Sequence, residues 1–297
     1  MIAMYHRRKL LLSLLESMGG NVAATDFQKL LFLLTRELSS DFYEFVPYKY
    51  GCFSFQSYYD KRVLSKYGIL ADDEGRWVLG ENREYPKNLN ERERNGIRSV
   101  VKKYGSLPGR DLLRYVYSTC PYYAINSEIA IDLLTDSEYR QVTGKRNRDT
   151  GTAFFTIGYE GTAFEHYLNR LIRNNVSLVC DVRKNPISMK YGFSKKQLQE
   201  TLSKLSIGYT HFPELGIDTD KRKELRTGND YEKLFAEYAD SIVAQTNKSI
   251  STIYELLKSH RRIALTCFEA DHMRCHRSIV AKKVVELSGK NLAVCHI

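Results

Sequence analysis

The stretch ALTCFEADHMRCHRSIVA, residues 264–281, gathers Cys267, Glu269, His272, Cys275, His276 and Arg277 between an apolar run and a segment of helical pattern. Three chemistries suit that set. Cys275, His276 and Arg277 fall at the expected first turn of a helix, whose N–H groups and dipole attract an anion, so a phosphate would be cradled there. Arg183, from another segment, would add a second guanidinium, and such a pair suits a phosphodiester or a nucleotide phosphate. Cys267, at a strand end, is a candidate nucleophile, because a helix N-terminus lowers a nearby thiol's pKa. The interval from Cys267 to Arg277 is nevertheless longer than the compact Cys-x5-Arg cradle of cysteine phosphatases. Zinc is the third option, through Cys267, His272, Cys275 and His276. That spacing matches no common finger, and the adjacent pair Cys275 and His276 is awkward as joint ligands. No metal or other cofactor is therefore expected. The plainer alternative is that Arg277 pairs with Asp181 or Glu269 and that the cysteines are simply buried.

General acid and base work has its own candidates. Asp181 and Glu269 at neighbouring strand ends, with His276 across a crevice, would activate a water and protonate a leaving group if their environments separate their pKa values. Tyr159, in TIGYEG, offers a ring to stack on a base or a hydroxyl to bond, and Gly161 opens the same loop toward a phosphate. His211 and Glu214, in YTHFPELG, are further rim candidates. The string KRKELR at 221–226 reads as a solvated helix face or a backbone-contact patch.

Those residues need a frame to bring them together. From residue 153 onward, short apolar runs (AFFTIGYEG, SLVCDVR, GYTHFPEL, RRIALTCFE) alternate with helical patterns (AFEHYLNRLIRNNV, SKKQLQETLSKLSI with Ser194 as cap, and roughly 229–260). NLAVCHI adds an edge strand. The alternation predicts an α/β fold with a Rossmann-like, mostly parallel sheet. Ligands of such sheets bind beyond the carboxyl ends of the strands, where the polar sets above would converge.

The first 80 residues read differently. Helices are expected over 5–18, from Thr25 or Asp26 through FQKLLFLLTREL, and over FQSYYDKRVLSKYGIL, with EFVPYKYGCFS as a loop and ILADDEGRWVL as a β-hairpin. Helices followed by a hairpin is the order of a winged helix. Its third helix would then carry Lys61, Arg62 and Lys66 to nucleic acid. Asp72, Asp73 and Glu74 at the hairpin tip would repel phosphate and argue against that contact. Residues 81–142 form a polar helical extension, and 143–152 (TGKRNRDTGT) is the expected linker before a second domain at 153–297.

Composition bounds the rest. The 297 residues carry 45 Lys and Arg against 35 Asp and Glu, a net charge of +10, which favours a polyanionic partner. Six scattered cysteines without framework spacing suit a reducing, cytoplasmic setting. KLLLSLLESMGG is short and broken by Glu16, so neither a signal peptide nor a membrane partner is expected.

Two resemblances follow from these motifs. QKLLFLL and YEFVPYKYGCFSFQSYYDKRVLSKYGIL resemble the Panacea or SocA-like antitoxin domain, with Cys52 where that family often has proline. That likeness implies a regulatory role, a protein partner and a phage-defence or stress setting. TIGYEG, DVRKNPIS, GYTHFPELG and CFEADHMRCHR, in that order and spacing, resemble the domain of unknown function family 488 from about 153 to 297. It implies Asp181, Arg183, Cys267, Glu269, His276 and Arg277 around one pocket. The expectation is a protein that processes nucleic acid or a nucleotide, hydrolysing a phosphodiester or N-glycosidic bond. The alternative is a non-catalytic regulator that senses a ligand or binds nucleic acid.

Overall fold

The computed structural model describes residues 4–80, 85–107, 109–217, 234, 236–238, 247–289 and 292–297. The chain folds as two compact units, 1–146 and 147–297.

In the N-terminal unit, α1 (His6–Ser17) and α2 (Ala24–Glu37) bury leucine-rich faces, with the short strand β1 (Asn21–Ala23) between them. The segment expected as a loop is instead a hairpin, β2 (Val46–Tyr48) against β3 (Gly51–Phe53). Pro47 and Gly51 suggested a break in the sequence. Gly51, at φ +88°, supplies the left-handed residue that the tight reversal needs. Helix α3 (Phe55–Lys66) follows, capped by Ser54. The expected hairpin over ILADDEGRWVL is reduced to a bridge between Leu70 and Leu79, and β4 (Arg76–Val78) pairs chiefly with β1. The extension comprises α4 (Glu91–Tyr104), α5 (Gly109–Thr119), α6 (Ala130–Leu133) and α7 (Asp136–Gly144), in the same unit.

The three cations proposed for nucleic acid do not act as a set. Lys61 is buried, donates to the Asp73 carbonyl and lies over the Tyr58 and Trp77 rings, so it anchors the acidic turn. Arg62 and Lys66 are not engaged in this way and lie nearer the surface. Asp60 on the same helix is wholly buried and accepts from Arg7, Arg8 and Tyr43, which ties α3 to α1.

Lys29 is an unfavourably placed charge in this unit. Its ammonium is buried and donates one long bond, 3.4 Å, to the Cys52 carbonyl. Lys29→Met should therefore raise the unfolding free energy at neutral pH by about 1–3 kcal/mol, the cost of a buried polar group with incomplete hydrogen bonding. Burial lowers the folded-state pKa of Lys29 from the ordinary 10.5, so between those two values the unfolded chain holds more protons and wild-type stability rises with pH. The gap between wild type and variant should close as pH climbs through that window. Urea denaturation of both proteins from neutral pH to about 10 checks it.

The C-terminal unit is the expected α/β fold. Strands β5 (Ala153–Gly158), β6 (Leu178–Asp181), β7 (Gly208–His211), β8 (Arg262–Cys267) and β9 (Val294–His296) form one parallel sheet in the order β7-β6-β8-β5-β9. Helices α8 (Phe164–Arg173), α9 (Lys195–Lys204), α10 (Asn247–His260) and α11 (Arg277–Leu287) accompany it. Strands β6 and β8 are buried at every position, as the apolar runs require of a covered parallel sheet. Leu178, Cys180, Ile263 and Leu265 share a core with Ile253 and Leu257 of α10 and with Val280 and Val284 of α11. Among the described residues no helix is long and apolar enough to cross a membrane. Residues 221–226 and much of 229–260 lie outside the described residues.

Candidate functional site

Strand β8 lies between β5 and β6, although it follows both in the chain, so the polar ends of the three strands meet. Cys267 is in register with Gly158, and Thr266 with Asp181. Beyond these ends lies a cavity of about 300 Å³ lined by Tyr159, Arg183, Lys184, Ser188, Cys267 and His276, among others. Ile187, Met189 and Phe268 also line it and present exposed apolar side chains at its mouth.

Of the residues that the sequence nominated, Tyr159, Arg183, Cys267 and His276 line this cavity. Asp181 does not. It is 0% exposed and accepts from the Arg183 backbone N–H and guanidinium and from the Tyr209 hydroxyl, at 2.6–3.1 Å. A carboxylate sealed in such a ring of donors is a structural anchor and has no route to a water. Burial alone would lower the Arg183 pKa, but Asp181 outweighs it and holds the guanidinium charged. Arg183 also donates to the Tyr159 hydroxyl and the Phe193 carbonyl, so it forms a fixed wall more than a reaching arm.

Arg277 leaves the proposed phosphate cradle as well. It is 1% exposed and its guanidinium donates to the backbone carbonyls of Glu269 (2.5 Å) and Ala270 (3.0 Å), clamping the loop after β8. The first turn of α11 is occupied too, since Ser278 and Ile279 donate to the Cys275 and His276 carbonyls. The Tyr159 ring is not a platform for a base, being stacked on Phe193 at 4.1 Å with Phe268 edge-on. Gly161, at φ +67°, turns an exposed loop and does not line the cavity. His211 donates through Nε2 to the Arg183 carbonyl and so braces the wall, while Glu214 accepts from Ser249.

What replaces the cradle is a cluster of donor atoms. One oxygen of Glu269, Oε2, accepts from the thiols of Cys267 (3.2 Å) and Cys275 (3.0 Å). His276 Nε2 lies 2.9 Å from the Val182 carbonyl, which can only accept, so this nitrogen carries the proton. In the neutral ring Nδ1 is then the acceptor, and it lies 3.7 Å from the Cys267 sulfur. The ligand-type atoms of Cys267, Glu269, Cys275 and His276 all lie within 4.8 Å of one another. Burial, and then the neighbouring Cys267, push the Cys275 thiol well above its ordinary pKa. The Cys267 thiol is engaged as a donor to the Glu269 carboxylate, which weakens the nucleophile reading. His272, nominated beside these ligands, stacks on His296 and is absent from the group.

Gly158 sets the height of the loop that carries Glu269. A Cβ at this position would lie 1.9 Å from the Glu269 carbonyl oxygen and 2.8 Å from its carbon. Gly158→Ala should thus push the loop off its seat and destabilise the unit by about 1–3 kcal/mol, as overpacking usually does. The same urea titration, followed by circular dichroism, measures it.

Comparison with known proteins narrows the frame. The family model described as Domain of unknown function DUF488 matches residues 163–284, less than half of the chain. That span takes in DVRKNPIS, GYTHFPELG and CFEADHMRCHR, whereas TIGYEG precedes it. No curated protein and no solved structure matches the chain. Nothing in the comparisons supports the resemblance of residues 1–80 to the antitoxin family.

Proposed function

We propose that the C-terminal unit is a hydrolase acting on a phosphodiester or N-glycosidic bond of a nucleotide or nucleic acid, bound in the cavity at the strand ends. The observation that carries this reading is the placement of Cys267 and His276 on the cavity wall, in one cluster with Glu269. A water entering there meets proton-accepting atoms on one side and a bound substrate on the other. The cavity's two characters suit such a substrate. Ile187, Met189 and Phe268 offer apolar surface to a planar base, while Lys184 and Ser188 offer polar groups to its sugar and phosphate beside the positive wall that Arg183 forms. The net charge of +10 favours the same polyanionic class. In the N-terminal unit, Arg62 and Lys66 support a weaker backbone contact, since Lys61 is engaged within the fold.

Incubating the full chain with a panel of mononucleotides, dinucleotides and short DNA and RNA oligomers, followed by mass spectrometry, tests the proposal. Expected is a product one water heavier, in sum, than the substrate consumed. Tight binding of a panel member with no product would instead establish a ligand-sensing regulator.

A further inference from the structure

Resting on that hydrolytic reading, we infer that Cys267, Glu269, Cys275 and His276 bind a single zinc-class metal ion. Two thiols, an imidazole and a carboxylate are the donors that zinc selects. Zn–S bonds near 2.3 Å and Zn–N or Zn–O bonds near 2.0–2.1 Å put neighbouring donors of a tetrahedron about 3.5–3.8 Å apart. The 3.7 Å from Cys267 to His276 falls in that range, the two sulfurs lie closer to Glu269, at 3.2 and 3.0 Å, and no two of the four donor atoms are more than 4.8 Å apart. Small adjustments of side chains already in place would complete the polyhedron.

Three further features suit a metal site. The first is the tautomer. His276 donates Nε2–H to a backbone carbonyl, which directs Nδ1 at the cluster, and ligating histidines are oriented by this kind of outer bond. The second is backbone geometry. Adjacent side chains point apart along a strand, but Cys275 is extended (φ −135°, ψ 132°) and His276 is helical (φ −57°, ψ −20°). The change of conformation between them turns both side chains to one side, which removes the objection to Cys275 and His276 as joint ligands.

The third feature is charge. Arg277 is a buried cation that faces carbonyls and a hydroxyl, with no carboxylate partner among the described residues. A zinc ion with two thiolates and a carboxylate carries one net negative charge, and Arg277, clamped to the Glu269 carbonyl, balances it. Entry of the ion with loss of two thiol protons leaves the total charge of the pocket unchanged. Cys267, Cys275 and His276 are the buried holders, whereas Glu269 is only half-buried and arrives on a loop. Glu269 is thus the ligand that exchanges with a water from the cavity and takes its proton. The resulting hydroxide adds to the substrate phosphorus or anomeric carbon. The bond to the leaving group breaks, and the proton passes from Glu269 to that group.

Metal analysis of the purified full chain tests the site without reference to turnover. After reconstitution with zinc, about one equivalent per chain should be retained, with about two protons released per ion in calorimetry at neutral pH. Cobalt in its place should give an intense thiolate-to-metal band and tetrahedral visible absorption. Cys275→Ser should weaken that band and the double variant Cys267→Ser/Cys275→Ser should lose it, while Cys295→Ser, at an exposed cysteine, should keep it in full. If folded wild type retains less than roughly one-tenth of an equivalent, or its cobalt spectrum lacks the thiolate band, the inference is overturned. The same holds if Cys275→Ser leaves the band undiminished or the double variant keeps it. Metal bound without product would sink the hydrolytic reading and leave the site standing. Product formed by metal-free protein would do the reverse.

Discussion

Asp181→Ala is expected to lower the unfolding free energy of the C-terminal unit by about 3–5 kcal/mol, the cost of leaving a buried charge uncompensated. Three interactions fail together. The Arg183 guanidinium loses both carboxylate oxygens, its own backbone N–H loses an acceptor, and the Tyr209 hydroxyl loses its carboxylate acceptor. The pair is 0% and 6% exposed, so water cannot enter cheaply to replace the lost partner. Asp181→Asn keeps the shape but not the charge and should cost less. Urea denaturation followed by circular dichroism ranks the three proteins. If Asp181→Ala abolished turnover with no loss of stability, the carboxylate would be chemical after all and the anchor role would be wrong.

Glu269→Gln should behave oppositely, with turnover down by about 10²–10⁴-fold, the range for a lost general base, and the fold retained. The amide has nearly the carboxylate's shape, and the clamp from Arg277 holds the Glu269 carbonyl, not its side chain. Only the proton-accepting oxygen between Cys267 and Cys275 is weakened. The readout is the initial rate of product formation by mass spectrometry, beside an unchanged thermal unfolding midpoint. Full turnover in this variant would remove Glu269 from the chemistry and, with it, the proposed function.

The contrast between those carboxylates was not legible in the chain. Each follows a buried run at a strand end, and a linear pattern assigns them the same role. Their positions relative to the strand ends separate them in depth. Asp181 is the last residue of β6, whereas Glu269 lies two residues past the end of β8 on a loop whose Phe268 lines the cavity. Arg277 misled for a related reason, because a helix start in the sequence does not say whether its first N–H groups are already taken by the preceding carbonyls. Lys61 read as a surface cation because α3 carries polar residues all round, and only packing shows which of them turn inward. The β2–β3 hairpin was hidden by Pro47, which ends most strands but is tolerated in this two-stranded pair.

Strand and helix order, the parallel sheet and the strand ends where polar residues gather are properties of local pattern. Apolar runs bounded by turn formers can be covered in few ways, so these were readable from the residues alone. The membership of the cluster was decided only in three dimensions. Placing β8 between β5 and β6 brings Cys267 beside Gly158, and the turn from extended Cys275 to helical His276 swings both toward Glu269. Spacing along the chain carries no record of which strand inserts between which, and that insertion determines which donors share a centre.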